Sequence, residues 1–599
     1  MNPAASNGIS GSTLLKACVA AVGLAGGFAG LVPPATAQGP VDVLTDANVR
    51  IDGASAGDQA AEVAEAGDVN GDGRNDVIVG GVFANAAHVV FGRSSRGTVD
   101  LADLGSGGFR IAGAAPGNGV GDSVDGAGDV NGDGLADVVV GAPFATNAHG
   151  FLGAAYVVFG KASSAPVDLG ALGTDGFRID GGDPGDGVGT AVGGGGDVND
   201  DGRPDVIVGG IFSDFNGRTN SGSVYVVFGK ASSDPVDLSA LGSGGFRIDG
   251  ADDFDEIGFS VADAGDVNGD GRADVLLGAP SSDQDGFFAG SAWIVFGQGP
   301  SDPIDLAALG AGGFRISAAA PLDFTGWSVA GAEDVNGDGH ADVIVGAPFA
   351  PNNAEIGAAF VVFGKASSSD VALGDLGDRG FRLDGGKPGD RAGDSVGGAG
   401  DVAGNGLADV VVGAPGADNN GRTDSGSAYV VFGKPSTGAV ELEPLDGDGF
   451  RIDGAAPDDR LGDGGGVFGG GGVDGAGDFL GDGLPSVILG APFADNNGRS
   501  DSGSAYVVGV SGAEQQLEDL VELVRSFNLP KGAETSLTSK LEAALRAVRS
   551  GRESDACGPL QAFADYAEAQ GGKKLTSAQA ERLLVDADRI GSLLSCPAT

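Results

Sequence analysis

An acidic nine-residue segment that returns seven times constrains this chain more than any other feature. DVNGDGRND begins at Asp68, and relatives of it begin at Asp129, Asp197, Asp266, Asp334, Asp401 and Asp478. Successive copies start 61, 68, 69, 68, 67 and 77 residues apart, the regular return that marks a repeat architecture. Every copy sits in one frame. A glycine-rich strand such as SVDGAGD leads into the acidic loop, then come ADVVVGAP, a variable loop, AYVVFG, a second variable loop and a short strand such as GFRIDG. That gives four short strands per unit, rich in Val, Ile, Phe and Tyr and separated by Gly, Asp, Asn and Ser turns. A solenoid or a row of separate domains can be built from such units. Seven four-stranded units point instead to a propeller, whose blades pack radially and leave few open edges.

The ends of the array add a second argument. Fourth-strand segments stand at 108–111, 176–179, 245–248, 313–316, 380–383 and 449–452, and none follows Val508. The missing seventh precedes the first loop, as Asn48-Val49-Arg50-Ile51-Asp52. Residues 48–52 are therefore expected beside 504–508, closing the ring and removing two edges that would template aggregation.

Two short motifs alternate through the array. FG stands at Phe159-Gly160, Phe228-Gly229, Phe296-Gly297, Phe363-Gly364 and Phe432-Gly433. GAP stands at 141–143, 278–280, 346–348, 413–415 and 490–492. Over about 48–510 the chain resembles the FG-GAP repeat family, found in the seven-bladed propeller of integrin alpha subunits and in many bacterial secreted proteins. The resemblance implies an all-β, seven-bladed propeller, extracellular and calcium-loaded, of a kind that often serves adhesion or recognition. Blade 1 departs from the pattern with Gly80-Gly81, blade 3 with Gly209-Gly210-Ile211, and blade 7 with Val508-Gly509 in place of FG.

The loop itself reads D-x-N-x-D-G-x-x-D. Oxygens at its first, third, fifth and ninth positions can converge because glycine at the sixth turns the chain sharply, and the seventh adds a backbone carbonyl. Five loops carry the full set: Asp68, Asn70, Asp72, Asp76; Asp129, Asn131, Asp133, Asp137; Asp197, Asn199, Asp201, Asp205; Asp266, Asn268, Asp270, Asp274; and Asp334, Asn336, Asp338, Asp342. Their seventh-position carbonyls belong to Arg74, Leu135, Arg203, Arg272 and His340. The expected cofactor is Ca2+, about five ions, because magnesium prefers a stiff octahedron with retained waters. Two loops should be weaker. Blade 6 keeps Asp401, Asn405 and Asp409 but has Ala403 at the third position, while blade 7 keeps Asp478 and Asp482 but has Leu480 and Ser486 at the third and ninth. An EF-hand is excluded, since the flanks alternate like strands and no Glu stands at position 12. Plain Asp-Gly turns explain one such loop more easily than five.

Charge narrows the partners. The chain has 83 acidic and 34 basic residues, a net charge of −49, which disfavours nucleic acid and anionic lipid. Three Cys and three His, scattered, give little support to zinc, an iron–sulfur cluster or a Cys-His protease. There is no nucleophile elbow, phosphate loop, zincin or dinucleotide fingerprint. Ser123, Ser260, Ser328 and Ser395 recur in first strands without a histidine nearby and read as small residues where blades crowd the axis. Trp293 and Trp327 read as core or inter-blade residues before they read as sugar platforms.

Outside the array, residues 17–32 form an apolar run after Lys16 and before an Ala35-Thr36-Ala37 exit. This reads as a signal peptide over 1–37, with no transmembrane segment in the mature chain and a secreted or cell-surface place in a bacterium. After Gly512 the pattern turns helical over 513–527, 533–550, 556–570 and 577–595, with Thr576 and Gln579 placed as a capping box. This module, about 513–599, resembles one at the ends of bacterial and archaeal surface proteins. Cys557 and Cys596 would meet across antiparallel helices and form a disulfide. The functional expectation is non-enzymatic: recognition of an unidentified extracellular protein or glycan, or cell-surface adhesion. The rivals are a carboxylate-based hydrolase or lyase acting on a polysaccharide, and a purely structural envelope component.

Overall fold

The computed structural model describes residues 40–599 apart from positions 82, 148–149, 152, 183, 352–354, 446, 467–470, 510–512, 528, 551, 595 and 597–599. The expected signal peptide lies outside the described residues.

Runs such as Asp137–Ala142 and Ala154–Val158 are buried along their whole length, because each such strand has an adjacent blade against both faces. Four consecutive antiparallel strands make one blade. In blade 2 these are Val124–Gly128, Asp137–Ala142, Ala154–Val158 and Gly176–Asp180. The pattern repeats seven times, and the innermost strands touch their neighbours all the way round. The protein is a seven-bladed β-propeller followed by a small all-α region.

Closure is as expected from the sequence. Val49–Asp52 pairs antiparallel with blade 7, setting Val49 opposite Val507 and Asp52 opposite Ser504. A further element was not expected: each sheet has a fifth, short outer strand. Val167–Asp168, on the approach to the fourth strand of blade 2, pairs in parallel with the fourth strand of blade 1. The same loan recurs around the ring, and blade 6 borrows Val41–Asp42 from the N-terminal segment. The N-terminal segment thus serves two blades.

The cores lie between blades. One cluster joins Ile78, Val89 and Phe109 of blade 1 to Val138, Tyr156 and Val158 of blade 2, and six others join the remaining neighbours. An eighth cluster belongs to the helices Ala513–Ser526, Lys531–Arg549, Cys557–Gln570 and Ser577–Leu593. Thr576 and Gln579 form the reciprocal cap at the start of the last helix. Cys557 and Cys596 are joined, with Sγ atoms 1.99 Å apart. Arg582 reaches back to Asp46 at 3.2 Å, tying the helices to the N-terminal segment. Among the described residues, no helix is long and apolar enough to cross a membrane.

Antiparallel pairing sorts the loops. Those between first and second strands, and between third and fourth, emerge on one face. Those between second and third strands, and between one blade and the next, emerge on the other. All seven acidic loops therefore share one face.

Candidate functional site

The acidic loops are built by backbone amides closing on carboxylates. In blade 2, Asp129 Oδ1 accepts from Gly132 and Asp133 at 2.7 and 2.9 Å, and Oδ2 accepts from Gly134 at 2.8 Å. The first carboxylate thus holds the turn that glycine permits. The fifth-position carboxylates accept the N–H of the seventh residue, as in Arg74 to Asp72, Leu135 to Asp133, Arg203 to Asp201, Arg272 to Asp270 and His340 to Asp338, at 2.9–3.1 Å.

The ninth position does something the sequence did not reveal. Asp137 is buried, and its Oδ1 accepts the N–H of Gly160, the glycine of FG, at 2.8 Å. The same bond joins Asp76 to Gly92, Asp205 to Gly229, Asp274 to Gly297, Asp342 to Gly364 and Asp409 to Gly433. FG and the acidic loop are one device. Glycine is required there, because a Cβ on Gly160 would lie 2.4 Å from the Ala136 carbonyl oxygen. The GAP glycine serves the opposite face, where a Cβ on Gly141 would lie 2.3 Å from the Gly189 carbonyl of the next blade. The signal for the first pairing was legible in principle: blade 7 loses the ninth-position Asp and FG together.

The third-position Asn has a defined task in the five full loops. Asn70, Asn131, Asn199, Asn268 and Asn336 each donate Nδ2 to the ninth-position carboxylate at 3.1–3.3 Å. An amide carries a donor and an acceptor, so this bond leaves its oxygen for another partner. In blades 6 and 7 the position is filled by buried Ala403 and Leu480. Asp401, Asn405, Asp478 and Asp482 still fold the turn there through amide bonds.

Electrostatically the loops are unbalanced. Burial pushes Asp76, Asp137, Asp205, Asp274, Asp342 and Asp409 up to about 7, with first- or fifth-position carboxylates adding to the rise. The donor chemistry fits a hard cation: two carboxylates, an amide oxygen and a backbone carbonyl within nine residues, beside a ninth-position carboxylate. Among the described residues, no three carboxylate, imidazole or thiolate side chains are gathered as a ready cation cage. The ninth-position carboxylate is turned onto backbone amides instead.

The recurrent serines bridge blades. Ser123 Oγ accepts from Val192 at 3.0 Å and Ser328 Oγ from Val396 at 3.1 Å, while Ser260 and Ser395 donate to the Gly326 and Gly462 carbonyls. They are structural. Trp293 is buried in a core shared by blades 3 and 4, and Trp327 packs on Phe259, with ring centres 5.0 Å apart. The NGR loops clamp outer strands: Arg218, Arg422 and Arg499 each hold an outer-strand carboxylate, Asp305, Asp42 and Asp100, at 2.8 Å.

The face opposite the acidic loops is different. Phe83, Phe144, Phe254 and Phe287 stand out there, 39–66% exposed, on loops of blades 1 to 4. Phe254, Leu322 and Phe324 hold φ of 55–66°, a strained region for bulky side chains.

Comparison with known proteins agrees with this architecture. The FG-GAP repeat model matches residues 120–158, 259–295 and 325–362, each inside a blade with intact GAP, FG and loop. Integrin alpha pat-2 of Caenorhabditis briggsae is 31% identical over 236 residues, 37% of this chain and 17% of its own. Human integrin alpha-7 is 31% identical over 153 residues, 25% of this chain and 11% of its own. Human phosphatidylinositol-glycan-specific phospholipase D is 28% identical over 418 residues, 67% of this chain and 47% of its own. The chain thus spans less than half the length of these relatives.

Proposed function

We propose that this FG-GAP propeller is a calcium-stabilised recognition module working outside the cell, where its exposed aromatic face meets a protein or glycan. The observation that carries the reading is the division of labour between faces. Five loops with a full oxygen set lie on one face, and an arc of exposed Phe lies on the other, where Phe254 holds strained backbone; strain at a surface is a mark of functional sites. The disulfide suits an oxidising compartment, and the integrins among the relatives favour adhesion.

In this reading Asp129, Asn131 and Asp133 hold the ion in blade 2 with the Leu135 carbonyl, Asp137 completes the charge, and the other four full loops follow suit. Calcium would offset carboxylate repulsion and do no chemistry on a substrate. Elemental analysis of the purified chain should find about five calcium ions, the number of full sets under the usual oxygen-ligand rule. Asp133→Ala should remove one, whereas Asp482→Ala should change the count little. Fewer than about three ions would reject the reading. For the opposite face, Phe287→Ser should weaken capture of surface glycoconjugates while leaving the melt unchanged. The phospholipase among the relatives keeps a hydrolase reading in play. Turnover of a phosphodiester or polysaccharide by the purified chain would replace recognition with catalysis.

A further inference from the structure

The propeller axis holds charge that the acidic loops do not explain. A cavity of about 820 Å³ runs between the innermost strands; Asp266 and Asp334 of the acidic loops reach it, and Glu62, Glu65, Asp125, Asp263, Glu333 and Asp474 line it besides. Blades that lack these acids put small residues at the matching places, such as Gly193 and Gly397 for Asp125, or Gly331 for Asp263. Space on the axis and charge on the axis therefore come together. Among the described residues that line it, none is Lys or Arg.

Glu62 is the telling member. It is only 3% exposed; its Oε1 accepts the Gly471 N–H at 2.8 Å, and its Oε2 has no hydrogen-bond partner. An ionised carboxylate so buried is costly without a counter-charge, and the described residues lining the cavity supply no Lys or Arg. Burial and the neighbouring acids hold Glu62 and Asp474 well above the ordinary carboxylate range.

The arrangement argues against one small ion. The described side chains form no group of three acids able to share a metal. Asp125 and Asp474 each spend an oxygen on a neighbouring blade, accepting from Gly194 at 3.0 Å and from Glu65 at 3.1 Å. The acids lie at two depths: Glu65, Asp125, Asp263 and Asp474 stand three or four residues before their loops, whereas Glu62 stands six before, about 10 Å further along its strand than Glu65 at ~3.3 Å per residue. Phe259 and Trp327 add aromatic surface to the same wall. Spaced carboxylates with an aromatic flank suit spaced ammonium groups on an apolar chain.

We propose that the axial channel binds an elongated organic polycation of the linear polyamine class, with Glu62 and Asp263 as two of its anionic contacts. Spermidine is the probe, titrated calorimetrically into the full chain at roughly 0.15 M salt, where surface charges more than ~8 Å apart are screened. One saturable site per chain is expected. Glu62→Gln and Asp263→Asn should each weaken it by roughly tenfold or more, the scale of losing a buried charge partner, with melting temperature retained. Exposed Asp283→Asn should leave it unchanged. Absence of a saturable site overturns the proposal, as does binding at several sites that neither axial variant affects, which is the behaviour of a diffuse acidic surface. Competition settles the occupant: if calcium displaces spermidine one for one and binds with the same dependence on Glu62 and Asp263, the channel is a metal site and the polyamine assignment falls.

Discussion

Burial outweighs hydrogen bonding in setting how the inner carboxylates titrate: Asp125 and Asp263 accept backbone amides from Gly194 and Gly265 and are raised all the same. Burial pushes Asp125 up to about 7 and Asp263 up to about 6, against about 3.9 for an unfolded Asp. A folded-state value above the unfolded one favours the protonated fold. Its contribution is complete below about pH 4 and lost as pH rises through 6 and 7. In chelator, the melting temperature should therefore fall between pH 5 and pH 8, and Asp125→Asn with Asp263→Asn should flatten that fall. A rise with pH would contradict the assignment. The FG glycine offers a second test. Gly160→Ala places a methyl against the Ala136 carbonyl and should cost about 1–3 kcal/mol in denaturant melts. At this scale the sequence was half legible. Spacing revealed which residues make each loop, whereas the bond from Gly160 to Asp137 across 23 residues left only the joint loss in blade 7 as its trace, because that pairing exists only once strands two and three are side by side.

Elements were more legible than contacts. Seven copies of four strands, the relocated fourth strand and the four helices were all readable, since each rests on hydrophobic periodicity longer than four residues or on a counted repeat. The outer fifth strands were not. Val167–Asp168 and its equivalents are mostly two residues long, too short for any period, and their partners belong to the preceding blade. Val41–Asp42 was missed for the same reason, although Arg422 clamps Asp42 through both guanidinium nitrogens. Removal of residues 41–52 should expose the edges of blades 6 and 7 while leaving blade 3 intact. Hydrogen exchange should then rise in Gly449–Asp453 and Ser504–Val508 and stay low in Ser223–Val227. Uniform protection would mean that the N-terminal strands contribute nothing to closure.

The whole molecule carries a net charge of −49, and the 13 acidic and 10 basic residues after Gly512 place nearly all of it on the propeller. Self-repulsion of that size makes cations a stability variable. If a loop binds calcium at ~10⁻⁴ M, roughly 10 mM calcium stabilises the fold by ~2.7 kcal/mol per site. Chelation should lower the melting temperature by many degrees, and calcium, not equal magnesium, should restore it. A melt indifferent to chelator would return the loops to plain turns. The axial acids were illegible at this scale, because Glu62, Asp263 and Asp474 are scattered over more than 400 residues and share only a distance from the axis. Ring closure also sets a clock. Asp52 waits for Ser504, and at roughly 5–20 residues per second the chain between them takes roughly 20–90 s to emerge from a ribosome. Throughout that interval the last blade does not yet exist and the strand that completes it has only the short outer strand Gly97–Asp100 to pair with, so the newborn chain carries one open strand edge until Ser504–Gly509 arrives.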